Sequence, residues 1–232
     1  MPPFLLPPNT RAVVFDAVGT LLFPNPGAPA VYAAYAAEHG AAVGTDVVRG
    51  RMTAAFTAEE EVDRAAGWVT SEGREVERWR RIVAGSLVEL PDPAGCFRDL
   101  YEHFARPDAW SVNPDAAEVF RALTARGIAV GLASNYDSRL RRVLAGRPEL
   151  EPIRARVTIS SEAGYRKPSP HFFSAVLRTL DVSTAAEVAY VGDDYRNDYL
   201  GAAGAGMTAV LLDDRDRSPS AVRVLRLMDL LG

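Results

Sequence analysis

The stretch Arg11–Leu22 reads RAVVFDAVGTLL, and the rest of the chain is arranged around it. Ala12 to Phe15 is a short apolar run with two valines at its centre. Such a run, bounded by polar residues, predicts a buried strand. It stops at Asp16, and Gly19-Thr20 follows as a turn signal. A carboxylate therefore stands just past the C-terminal end of a buried strand, the edge where open α/β sheets bind ligands. A lone Asp there also serves as an ordinary turn residue, so its meaning depends on the other strand ends.

From Asn113 onward, strand and helix patterns alternate. Strands are expected at Ile128–Ala133, Arg156–Ile159, Val188–Val191 and Met207–Leu212. The expected helices are one opening at Asn113-Pro114 and closed by Gly127, then Asp137–Ala145, Ser169-Pro170 through Leu180, Asn197–Ala205, and Ser218–Leu231 capped by Ser218. This alternation implies βαβ units and a parallel sheet. Ala28–Arg106 carries no strand pattern and reads as helices Ala28–His39, Thr45–Ala66, Ser71–Leu87 and Ala94–Phe104. The expected architecture is a doubly wound, Rossmann-like α/β core at 1–24 plus 110–232, with an all-helical cap domain inserted at 25–109. Within that insertion, Glu59–Glu61 and Arg78, Arg80 and Arg81 read as solvated helix faces. Tyr32, Tyr35, Phe56, Trp68 and Trp79 read as its core. Trp68, Trp79, Arg51 and Arg64 could also reach a site, but core packing and surface charge account for them better.

The 232 residues carry a net charge of -4, which argues against a nucleic-acid partner bound through a basic face and against an anionic membrane surface. The one cysteine, Cys96, removes any internal disulfide or cysteine metal site. This fits a reducing cytoplasm, the expected location. The opening MPPFLLPPNT has a brief apolar run broken by prolines and lacks a basic flank, which makes a poor secretory signal. Lys167 is the single lysine, so any mechanism needing two is removed.

If the strands run parallel, the residues past their ends share one edge. These are Asp16, then Ser134-Asn135, then Lys167 in the loop after the Arg156–Ile159 strand, then Asp193-Asp194 with Asp198 following. Carboxylates crowded at one edge repel one another unless a cation sits among them, and hard oxygen ligands suit Mg²⁺. Lys167 can pair with Asp16 and an incoming anion, while Ser134 and Asn135 donate to that anion's oxygens. An anion beside a metal, a lysine and a free carboxylate is what phosphoryl transfer requires. Asp16 would then be the nucleophile, forming an aspartyl-phosphate.

Four segments carry a resemblance at this point: VVFDAVGTL, LASN, Lys167 within YRKPSP, and VGDDYRND. The chain resembles the haloacid dehalogenase superfamily of hydrolases with a helical cap inserted after the first strand. The resemblance covers about residues 10–24 and 110–215, and the cap matches only by position and helical character. It implies Asp16 as nucleophile and metal ligand, the Val18 carbonyl as a second ligand, and Asp193 as the acidic ligand of Mg²⁺. It implies Ser134, Asn135 and Lys167 on the phosphate, with Gly19 and Thr20 beside it. It implies Asp194 and Asp198 as the groups that orient metal-bound water. The implied partner is a small phosphorylated metabolite.

One position departs from the pattern. Phosphatases of this superfamily carry D-x-D-G-T, whose second Asp protonates the leaving group and then activates water. Here that position is Val18, and general acid–base help of this kind contributes ~10²–10⁴ in rate. One reading is a phosphatase restricted to good leaving groups, such as aryl or acyl phosphates. His39, Tyr136 or a cap carboxylate could stand in for the missing acid. A second is a 2-haloacid dehalogenase, whose relatives typically read D-A-Y-G-T and expel a halide that needs no proton. The acidic fourth segment opposes this, since such dehalogenases use no metal. A phosphonoacetaldehyde hydrolase needs a cap lysine, and there is none. The third reading is a binding or regulatory module with little catalysis.

Overall fold

The computed structural model describes residues 5–213 and 221–232. Six parallel strands form one sheet in the order β5-β4-β1-β6-β7-β8. They are β1 (Ala12–Phe15), β4 (Ala129–Ser134), β5 (Val157–Ile159), β6 (Val188–Gly192), β7 (Thr208–Leu212) and β8 (Arg223–Val224). β1 lies between β4 and β6, and every one of its residues is buried, which is why it carries no polar residue. Its side chains alternate between the faces. Val13 and Phe15 enter one apolar cluster, and Ala12 and Val14 enter another that includes Phe172, Phe173 and Val176. Phe15 is level with Leu132 on β4 and Val191 on β6, so the three strands deliver their next residues to one place.

β2 (Leu22–Pro24) and β3 (Trp110–Val112) form a two-stranded antiparallel pair that the sequence pattern did not reveal. Three residues each are too few to show an alternation. Between them lie helices α1 (Ala28–Glu38), α2 (Thr45–Ala65), α3 (Glu72–Ser86) and α4 (Pro93–His103). The Ser71 side chain caps α3 by accepting from the Arg74 amide, and Asp92 caps α4 by accepting from the Gly95 amide. The Val13 and Phe15 cluster continues into this segment through Val31, Tyr32, Val48, Val83 and Leu100. The segment is also tied to the sheet at a second place. Val69 bridges Tyr165, the Thr70 amide donates to the Gly164 carbonyl, and the Arg166 amide donates to the Trp68 carbonyl.

The remaining helices are α5 (Ala116–Ala125), α6 (Arg139–Ala145), α7 (Ser160–Ala163) and α8 (Pro170–Leu180). Gly127 follows α5 at φ +75°, the left-handed conformation expected of a glycine after a helix. Asn113 does not cap α5. Its Oδ1 accepts from the Asp115 amide in a turn, and the helix begins at Ala116. Asp137 likewise precedes α6, its carboxylate held by Arg139. The expected helix Asn197–Ala205 is a π-helix over Tyr195–Leu200 followed by an α-turn over Gly201–Gly204.

The expected helix Ser218–Leu231 is not formed in its described part. Arg223–Val224 instead adds the edge strand β8, and Leu227–Leu231 is a 3₁₀ turn. Val224 and Leu227 alternate with exposed Leu225, and a sheet edge buries that spacing as well as a helix face does. Ser218 and Pro219 lie outside the described residues. Among the described residues no helix is long and apolar enough to cross a membrane.

Candidate active site at the ends of the central strands

Asp16 leaves β1 with its amide donating to the Val191 carbonyl at 2.8 Å, which fixes the carboxylate at the mouth of the β1–β6 pair. Lys167 Nζ donates to Asp16 Oδ1 at 2.6 Å and to Asp198 Oδ1 at 2.5 Å. The three are separated by up to 182 residues of chain (Asp16 to Asp198) and are all buried. The lysine is held from its backbone. Asn135 Oδ1 accepts from the Lys167 amide at 2.7 Å, and Asn135 Nδ2 donates to the Lys167 carbonyl at 3.1 Å. Asn135, expected as an anion donor, thus has its amide engaged in bracing the lysine loop. Tyr190 Oη donates to the Ala133 carbonyl at 2.9 Å and lies 3.3 Å from Asp198 Oδ1. Sequence reasoning missed Tyr190, because inside a strand it reads only as an apolar position.

Asp193 reaches the same point from the end of β6. Gly19 has φ +98°, and a Cβ there would lie 2.4 Å from an Asp193 oxygen, so only glycine fits. Thr20 Oγ1 is 3.5 Å from Asp193 Oδ1. Gly19 and Thr20 therefore serve the approach of Asp193. Asp16, Asp193 and Asp198 each offer an oxygen within 4.8 Å of the others. Asp194 faces differently: its Oδ1 accepts from the Arg196 and Asn197 amides and caps the π-helix, although the residue still borders the cavity. Ser134 is buried at the end of β4 and borders the cavity.

The electrostatics follow from this crowding. Burial pushes the Asp16 carboxyl up to about 8; Lys167 opposes that, and Asp198 and Asp193 add to it. Burial, then the Asp198 charge, raises Asp193 to about 6. Burial works against the Lys167 ammonium, but the Asp16 and Asp198 carboxylates outweigh it and hold its pKa well above the usual value. Three carboxylates facing one ammonium leave an excess of negative charge. A divalent cation with a preference for hard oxygen ligands fits that donor set.

A cavity of about 410 Å³ opens from Asp16, Val18 and Lys167 toward the helical segment. Phe56 and Trp79, expected as core, form part of its wall, whereas Trp68 sits in a turn at φ +64° and does not border it. Arg51 and Arg64 stay outside, paired with Glu89 and Glu61. His39 is also remote, paired with Asp99. Tyr136 borders the cavity, but its hydroxyl donates to the Phe104 carbonyl at 3.2 Å. Glu60 is the one carboxylate of the helical segment on the cavity wall among the described residues.

The expectation of solvated charge holds for Glu61, Arg80 and Arg81 but not for Glu59 and Arg78, which are buried. Arg78 Nε donates to Asp63 at 3.0 Å, Arg74 pairs with Asp63 and Glu59, and Arg166 from the sheet side pairs with Asp63 and Glu75. Burial, with Arg166 alongside, draws the Arg78 pKa below its usual value. The signal was present: Glu59 and Asp63 are four residues apart on α2, as are Arg74 and Arg78 on α3. Opposite charges at that spacing on successive helices mark facing stripes.

The sequence matches the haloacid dehalogenase-like hydrolase family over residues 10–206. The chain belongs to that family. It is 36% identical over 118 residues to haloacid dehalogenase-like hydrolase domain-containing protein 3 of Danio rerio, a match covering 51% of this chain and 48% of that protein. It is 34% identical over 153 residues to a phosphoserine phosphatase of Thermus thermophilus, covering 65% of this chain and 61% of that enzyme. The chain thus spans about half the length of the first of these curated relatives. A solved dehalogenase superposes with a TM-score of 0.72 at 21% identity, covering 97% of this hydrolase and 96% of the other chain. At that identity the superposition speaks for the fold alone. As a haloacid dehalogenase-like hydrolase, the protein keeps an aspartate at the end of β1 and carries Val18 two residues on.

Proposed function

We propose that this hydrolase is a Mg²⁺-dependent phosphatase that works through an aspartyl-phosphate on Asp16 and favours good leaving groups. The observation that carries the reading is the contact of one lysine with both Asp16 and Asp198, beside Asp193. Asp16, Asp193 and the Val18 carbonyl would hold the cation. When bound, it supplies positive charge that keeps Asp16 ionised and neutralises phosphoryl oxygens.

An Asp16 oxygen attacks phosphorus, the bond to the leaving oxygen breaks, and that oxygen departs with the electron pair. Water then attacks phosphorus of the aspartyl-phosphate, releasing inorganic phosphate and regenerating the Asp16 carboxylate. Lys167 offers its ammonium to the transferred phosphoryl group and is positioned by Asp198 and Asn135. Ser134 supplies a hydroxyl to the same group. Val18 has no proton to give, which favours leaving groups that depart unprotonated, as those of aryl and acyl phosphates do. The four helices between β2 and β3 act as the cap that covers the site.

The test is phosphate release with Mg²⁺ across substrates of graded leaving-group acidity, run on wild type and Asp16→Asn. A steep dependence on acidity with an inactive Asp16→Asn is expected. A flat dependence, or full activity of Asp16→Asn, overturns the reading. Chloride release from a 2-chloroacid without added metal would instead favour dehalogenation.

A further inference from the structure

Granted the phosphatase reading, the wall beyond the phosphoryl end decides the rest of the substrate. That wall is aromatic and continuous. Phe56 meets Trp79 edge-on at 5.6 Å, Trp79 lies 6.3 Å from Tyr136, Tyr136 lies 6.2 Å from Trp110, and Trp110 lies 5.7 Å from Phe104. All five border the cavity, and Val18, 37% exposed, adds an apolar side chain at the reacting end. Its volume of about 410 Å³ is in the range that small organic ligands occupy.

The charges on that wall are the second observation. Three guanidiniums border the cavity besides Lys167: those of Arg78, Arg139 and Arg166. Arg139 is matched by fully buried Asp137 through bonds of 2.8 and 2.7 Å, and its guanidinium lies over the Tyr101 ring at 3.4 Å. Arg78 and Arg166, together with Arg74 behind them and exposed Arg81 at 3.8 Å from Glu59, face Glu59, Asp63 and Glu75, so each of these guanidiniums is engaged by a carboxylate. The other ionisable groups bordering the cavity include Glu60 and Asp194, both acidic. Among the described residues bordering the cavity, no guanidinium is left unpaired for a second anion on the substrate, and an unpaired buried charge is costly.

We propose that the substrate is a phosphate monoester whose organic part is an uncharged aromatic ring system, seated against the Phe56, Trp79 and Tyr136 wall. Phosphates that also carry a carboxylate are selected against, because that second negative charge finds only paired guanidiniums and the acidic Glu60 and Asp194. The leaving phenolate and the aromatic wall meet the same requirement, since a phenol departs more readily than an alkyl alcohol without a proton donor at position 18.

The test uses the full chain with Mg²⁺ and two measurements. The first is calorimetric binding of three non-hydrolysable phosphonates: 1-naphthylmethylphosphonate, methylphosphonate, and a naphthyl compound carrying a carboxylate. The naphthyl compound is expected to bind about tenfold or more tightly than methylphosphonate, and the carboxylate to remove that gain. Trp79→Ala should bring the naphthyl-to-methyl ratio toward one, and the milder Trp79→Phe should keep most of it. Equal binding of the three compounds, or an unchanged ratio in both variants, overturns the proposal. The second measurement is turnover of 1-naphthyl phosphate against acetyl phosphate. Asp16-dependent turnover of acetyl phosphate without any naphthyl preference in binding rejects the aromatic pocket and leaves the phosphatase reading standing. Phosphate release from neither rejects both.

Discussion

Asp16 and Val18 lie two residues apart and carry opposite implications. Asp16 has the position, the lysine and the acidic neighbours of a nucleophile. Val18 places an apolar side chain where a proton donor would serve poor leaving groups. Val18→Asp is expected to raise turnover of an alkyl phosphate by about 10²-fold or more while changing an aryl phosphate less, measured as a flatter leaving-group slope. Titration gives a second residue-scale prediction. In metal-free protein Asp16 holds its proton up to about pH 8, whereas its ordinary value is 3.8. The folded chain then binds more protons than the unfolded one between those values. The stability contributed by this proton is full below pH 3.8 and is lost as pH rises through about 8. Asp193, raised to about 6, acts in the same direction. Melting of EDTA-treated protein should therefore drop across this window, and Mg²⁺ should restore most at the alkaline end. A stability that rises with pH there would contradict the buried-carboxylate account.

At the scale of elements, α2 and α3 are joined to the lysine loop by charge rather than by apolar contact alone. Glu75 is buried and accepts from Thr70 Oγ1 at 2.9 Å and from Arg166, the residue before the site lysine. Glu75→Gln leaves one guanidinium of the cluster unmatched and is expected to destabilise the fold by about 3 kcal/mol in urea unfolding. Replacing Glu75 and Arg166 together by Leu and Met should recover most of that loss, because a buried pair and a well-packed apolar pair are comparable in stability. The helices themselves were legible, since Ser71 before α3 and Pro170 opening α8 are local signals. The π-helix over Tyr195–Leu200 was not, because its residues carry no pattern that separates a π-turn from an α-turn. A Cβ on Gly192 would lie 2.3 Å from the Asp198 carboxylate, so the glycine leaves room for Asp198 to reach Lys167.

At the scale of the whole molecule, the aspartyl-phosphate geometry can be tested without a substrate. Mg²⁺ with beryllium fluoride mimics a phosphoryl group on a carboxylate. At about 100 times its dissociation constant it should add about 2.7 kcal/mol of stability, read as a rise in melting temperature that Asp16→Asn abolishes. Absence of that rise in wild type, with no turnover of an aryl phosphate, would favour a binding module. The local sequence already spells the strand that ends in Asp16 and the parallel sheet, and it offers Ser134, Asn135, Lys167, Asp193 and Asp198 as candidates at the other strand ends. Each of these is written in a local run: four apolar residues and then a carboxylate, or a glycine followed by two aspartates. It took the folded chain to show that Phe56 and Trp79 face a cavity, that Arg78 is buried against Asp63, and that Asn135 braces Lys167. Periodicity reports that a side chain leaves water. It does not report whether the chain then meets another side chain or a space, and the partners that settle this, such as Glu75 and Arg166, are 91 residues apart.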